Sequence, residues 1–97
     1  MFYHAYPNVA ERHGLNRIAV RLMSESKDAV CEIVTDGFHI SGIWINDHKH
    51  GPRISWPTRD TPKGRFAVVV PDATRRIALE NALAEAWNTA IASRHVA

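Results

Sequence analysis

Ile18, Val20 and Leu22 alternate with Arg17, Ala19 and Arg21, a period of two that predicts a strand with one buried face. Ser24-Glu25-Ser26-Lys27-Asp28 reads as a turn, and the β-branched, apolar run Val30 to Thr35 as a second strand. Asp36-Gly37 predicts a tight hairpin, because such turns need a residue that tolerates positive φ. Beyond it Phe38 and Ile40 share a face, yet the next apolar positions are Ile43 and Ile45. The odd step from 40 to 43 would flip the side chains to the other face. Either the strand buries both faces in turn or it carries a bulge at Ser41-Gly42. We favour the bulge, since glycine inside a strand often marks one.

Asp47 to Pro52 reads as a polar turn. Ile54 and Trp56 form a short fourth strand that stops at Pro57, and Phe66, Val68 and Val70 a fifth that stops at Pro71. From about Thr74 the period changes. Leu79, Leu83, Ala86, Trp87, Ala90 and Ile91 recur at spacings of three and four, which predicts an amphipathic helix to about Ser93. Asp72 or Thr74 can cap its start, and Arg76, Glu80 and Asn88 fall on the opposite stripe. The expected fold is α+β: an antiparallel sheet of about five strands with one long C-terminal helix packed on it. Residues 1–14, aromatic and without period, form an N-terminal arm, either packed on a partner subunit or loose. Residues 15–97 form a single domain.

Composition adds three constraints. The single cysteine, Cys31, rules out an internal disulfide and fits a reducing compartment. Its apolar neighbours make it a small core residue. No run reaches the roughly 18–20 apolar residues of a membrane span, and the N-terminus lacks the basic and apolar regions of a signal peptide, so a cytoplasmic location without a membrane partner is expected. The chain carries a net charge of only +2, but Lys49 to Arg76 holds seven basic residues against Asp60 and Asp72, a local excess of +5. A localised positive segment suits a phosphate-bearing partner.

Trp56-Pro57-Thr58-Arg59-Asp60-Thr61-Pro62-Lys63-Gly64 reads as a constrained polar loop, neither helix nor strand, because each proline lacks an N–H and Gly64 permits positive φ. Arg59, Lys63 and Arg65 frame it and Arg53 precedes it. These cations can meet phosphates without ordering a long flexible segment, and the Thr58 and Thr61 hydroxyls can donate to phosphate oxygens. Arg75 and Arg76 lie in the first helical turn, where cations oppose the helix dipole and an anion would relieve them. Trp44 points away from the Ile43/Ile45 face and can stack on a base, pack in a dimer interface or lie under the helix. Trp56 and Trp87 fall on apolar stripes and are expected in the core. His48 and His50 do not complete a structural metal site, and no nucleophile elbow, carboxylate pair or Gly-rich phosphate loop is recognisable. Neither an enzyme nor a cofactor is expected.

Ile33-Val34-Thr35-Asp36-Gly37-Phe38-His39-Ile40-Ser41-Gly42-Ile43-Trp44-Ile45 resembles the second and third strands of the SpoVG family (stage V sporulation protein G, the septation regulators). Ile54-Ser55-Trp56-Pro57-Thr58-Arg59-Asp60-Thr61-Pro62-Lys63-Gly64-Arg65-Phe66 is similar to that family's apolar, Met-Pro-Ser, basic, Thr-Pro-x-Gly-x-aromatic motif. Val70-Pro71 resembles the proline before its helix, Arg76 to Trp87 the helix, and Arg17 to Leu22 the first strand. The likeness spans about residues 16–88. Here Trp56 stands for the motif's Met, Asp60 for one of two paired basic residues, the aromatic arm is additional and an acidic tail is absent. The resemblance implies a small dimeric regulator that binds DNA and RNA. With the cations and hydroxyls above, contacts are expected mainly to the phosphate backbone at Arg53, Thr58, Arg59, Thr61, Lys63, Arg65, Arg75 and Arg76, and a homodimer is expected through strand edges. The alternative is a protein-interaction module that binds no nucleic acid, favoured by the aromatic arm and the small net charge.

Overall fold

A computed structural model describes residues 3–35, 37–61, 64–67 and 73–96. The elements run β1 (His4–Ala5), α1 (Pro7–Arg12), β2 (Arg17–Leu22), β3 (Ala29–Thr35), β4 (Phe38–His48), β5 (Gly51–Ser55), β6 (Thr58–Thr61), β7 (Gly64–Ala67) and α2 (Ala73–Val96). Strands β1 to β5 form one antiparallel sheet in sequential order, and β6 pairs with β7 in a separate two-stranded sheet. The fold is α+β, an open five-stranded antiparallel sheet with one long C-terminal helix.

The odd hydrophobic step on β4 is a bulge. Cys31 pairs with Ile43 and Ile33 with Ile40, so one residue of β3 faces two of β4, Ser41 and Gly42. Gly42 adopts φ 72°, a left-handed backbone that glycine takes without penalty. The extra residue keeps Ile40, Ile43 and Ile45 all buried on the same face. The β3–β4 connection also meets expectation: Thr35 pairs with Phe38, and Gly37 sits at φ 80°.

The inner face of the sheet and both helices share one core. Ile18, Val20, Cys31, Ile33, Ile43 and Ile45 from the sheet meet Leu79, Leu83, Ala86, Trp87 and Ala90 of α2, and Val9 and Ala10 of α1. Thus the three-and-four spacing of α2 is its buried stripe, and Cys31 is fully buried. Trp87 lies in the core, while Trp56 is half-buried against it.

Four expectations are corrected. The segment from His4 to His13 is no free arm: β1 pairs with β2, Tyr6 N–H donates to Ile18 O at 2.9 Å, and Val9 and Ala10 are buried. The fifth member of the main sheet is therefore β1, not the Phe66 segment. Second, within the stretch expected to be irregular, Thr58–Thr61 is a strand. Thr58–Thr61 and Gly64–Ala67 form a hairpin, because Pro57 precedes the first strand and Pro62 falls between the two, so neither removes a ladder donor. Third, the turn expected over Asp47–Pro52 shrinks to Lys49 and His50, with Asp47 paired to Pro52. Proline is tolerated there because β5 is an edge strand. Fourth, α2 begins at Ala73, so Thr74 lies inside it rather than capping it. Asp72 and the Val68–Val70 part of the expected fifth strand fall outside the described residues.

Polar ties join distant segments. The turn between β2 and β3 is held by α2: Trp87 Nε1–H donates to Lys27 O at 2.6 Å, and Arg94 Nη1 donates to Met23 O at 3.2 Å and Ser26 O at 2.7 Å. Arg12 and His13 hydrogen-bond to Glu85, tying α1 to α2. Among the described residues no helix is long and apolar enough to cross a membrane.

Candidate nucleic-acid interface

The residues predicted to meet phosphate are spread over three elements. Arg53 is exposed on β5 beside its register partner Asn46 of β4. Thr58, Arg59 and Thr61 lie on β6 and Arg65 on β7, while Lys63 falls outside the described residues. Arg59 pairs with Phe66 and Asp60 with Arg65. Strand alternation therefore places positions 59 and 65 on opposite faces of the hairpin. Arg76 is exposed near the start of α2. Arg75 instead turns to the sheet, where Nη2 donates to Thr35 Oγ1 at 3.0 Å. Thr35 is only 4% exposed, so this bond provides a partner for a buried hydroxyl.

The surface that sequence reasoning missed is the outer face of the main sheet. Neither buried outer-face residue, Ala19 or Val30, belongs to the core that the helices cover. Register aligns a row across this face: Arg21 pairs with Val30, Val30 with Trp44 and Trp44 with Ser55. Tyr3 extends the row, its ring centroid 5.3 Å from the Arg21 guanidinium carbon. Trp44 is 41% exposed. Arg53 and Asn46 stand next to this row on one side. On the other, Arg17 Nε donates to Glu32 Oε1 at 3.0 Å, and His39 Nε2 lies 3.1 Å from Glu32 Oε2.

The electrostatics follow from these contacts. Partial burial would raise the Glu32 carboxyl, but the hydrogen bonds from His39 and Arg17 outweigh it and hold the group below its ordinary value. Glu32 is the one carboxylate among the described outer-face positions of β2 to β5, against Arg17, Arg21 and Arg53. The alternation of Arg17, Ala19 and Arg21 already carried half of this signal. The alignment of Arg21 with Trp44 requires the pairing of three strands.

Burial pushes the Cys31 thiol up to about 12, which keeps it protonated and unreactive near neutrality. Burial, and then the nearby Cys31, also raise the Tyr6 hydroxyl. Among the described residues no group of three or more His, Cys, Asp or Glu side chains is arranged to hold a metal ion. No protein-family model, curated protein or solved structure matches this chain.

Proposed function

We propose that the protein is a small, non-enzymatic regulator that binds DNA or RNA chiefly through the phosphate backbone. The observation that carries this reading is the outer sheet face, which no described helix covers and where, among the described strand positions, Arg17, Arg21 and Arg53 stand against Glu32, with Asp28 just before β3 accepting from Asp47 N–H at 2.9 Å. The basic excess of Lys49 to Arg76 adds to it, as does the SpoVG-like stretch. Cations without a base-reading helix favour affinity over sequence specificity. The resemblance also implies a homodimer. The two-residue β1 and Pro52 in β5 leave little free ladder at either edge, so self-association should use side chains, and light scattering measures it.

The test is fluorescence anisotropy of labelled single-stranded DNA, duplex DNA and RNA at low and at physiological salt. Micromolar or tighter binding that weakens steeply with salt is expected, with loss in an Arg53→Glu variant and in the Arg59→Glu, Lys63→Glu pair. Unchanged affinity in the pair removes the hairpin from the interface. No binding at low salt refutes the reading. A second reading, a protein-interaction module, rests on Phe38 and Ile77, which are 65% and 57% exposed. It predicts no nucleic-acid binding and a changed assembly state in Phe38→Ser.

A further inference from the structure

Resting on the nucleic-acid reading, we infer that the outer sheet face is a stacking surface for single-stranded nucleic acid, with Trp44 as its central base contact. The occupant is set by what lies in one plane. Trp44 presents an exposed ring at the middle of a cross-strand row, two strands from Arg21, about 10 Å at ordinary strand spacing. Arg21 is held over the Tyr3 ring at 5.3 Å, which leaves a second aromatic and its cation at the far end of the row. Arg53 and Arg17 flank the row on either side.

Rings for bases and guanidinium groups for phosphates are the two components with which proteins hold single strands. A duplex keeps its bases stacked on each other and shows only phosphates and groove edges, so it gains nothing from Trp44. A protein partner would gain from the arginines only by setting carboxylates opposite them, whereas every nucleotide of a single strand brings both a base and a phosphate. Glu32 does not spoil the complementarity, because Arg17 and His39 already hold its two oxygens.

The experiment compares oligouridylate, oligothymidylate and a duplex of the same length, by anisotropy and by tryptophan fluorescence, against the parent protein, Trp44→Phe and Trp44→Leu. Leucine keeps apolar cover over Val30 while removing the ring, and thermal melting verifies that each variant is folded. Both single strands should bind more tightly than the duplex and quench the parent's fluorescence. Trp44→Leu should weaken single-strand binding about 5- to 100-fold, and Trp44→Phe should retain much of it without the quenching. With Arg21 and Arg53 engaged and Arg17 paired to Glu32, log affinity should fall against log salt with a slope of about −1.4. Single-strand affinity unchanged in folded Trp44→Leu overturns the inference while leaving the broader function standing, as does a preference for duplex. Failure of all three probes to bind at low salt refutes both. A change of assembly state in Trp44→Leu, with nucleic-acid affinity intact, makes the face a protein interface and overturns the inference.

Discussion

Gly42 decides whether the bulge in β4 is a structural device or an accident of spacing. In a regular strand, alanine in place of glycine would stabilise by about 0.5–1 kcal/mol. Here Gly42 holds φ 72°, and a Cβ built on it meets nothing within 4 Å. Steric crowding therefore contributes nothing, and backbone strain alone sets the effect. A left-handed conformation costs a non-glycine residue roughly 1–2 kcal/mol. Restriction of the unfolded chain returns about 0.4–1 kcal/mol. Gly42→Ala should then destabilise by about 1 kcal/mol, a fall in Tm of about 4–8 °C for a domain of this size. Gly42→Asn should cost less, since asparagine enters this region more readily. Deletion of Gly42 should leave a cooperative fold with the parent's denaturant slope. Glu32 would then face Ser41 alone, and the Cys31–Ile43 and Ile33–Ile40 pairs would persist with both isoleucines still inward. Urea unfolding followed by circular dichroism measures all three. Gly42→Ala as stable as the parent, or Gly42→Asn worse than Gly42→Ala, would refute the assignment of the effect to φ.

Two further outcomes follow from the ties between distant segments. Trp87→Phe removes the donor to Lys27 O while keeping an aromatic ring in the core; it should cost about 1–3 kcal/mol in urea unfolding and raise hydrogen exchange in the Met23–Asp28 turn. The carboxyl of Glu85 is held low by its hydrogen bonds from His13 and then Arg12, so its contribution is present above its ordinary value of 4.5 and is lost as pH falls through the lower folded value. Glu85→Gln should therefore be less stable near neutrality and lose less stability on acidification, and an acid slope equal to the parent's would contradict the coupling.

The proposal of nucleic-acid binding draws its support from the arginine-bearing outer sheet face, which no described helix covers. It also shifts attention from the proline-rich stretch to the sheet. Arg75 illustrates why. By sequence it is a cation opposing a helix dipole, and in the fold it donates to the buried hydroxyl of Thr35.

What the sequence determined by itself is local. Alternation at Ile18, Val20 and Leu22, the odd step from Ile40 to Ile43, and the three-and-four spacing from Leu79 to Ile91 each state which side chains leave water, because a residue's face depends only on the period of its own element. Strands 2 to 4, the bulge and the helix were legible for that reason. Tertiary structure alone decided which strands became neighbours. His4–Ala5 has no period to read, yet it completes the sheet because β2 offers a free edge and Val9 and Ala10 bury the following turn. Gly64–Ala67 took Thr58–Thr61 as its partner instead of the main sheet. The polar ties were equally hidden: Trp87 to Lys27 and Arg12 to Glu85 join residues 60 and 73 positions apart. The row from Tyr3 to Ser55 exists only because three separate registers agree. Periodicity fixes a residue's face, but pairing depends on competition among all available edges, and that competition is resolved only when the whole chain has packed.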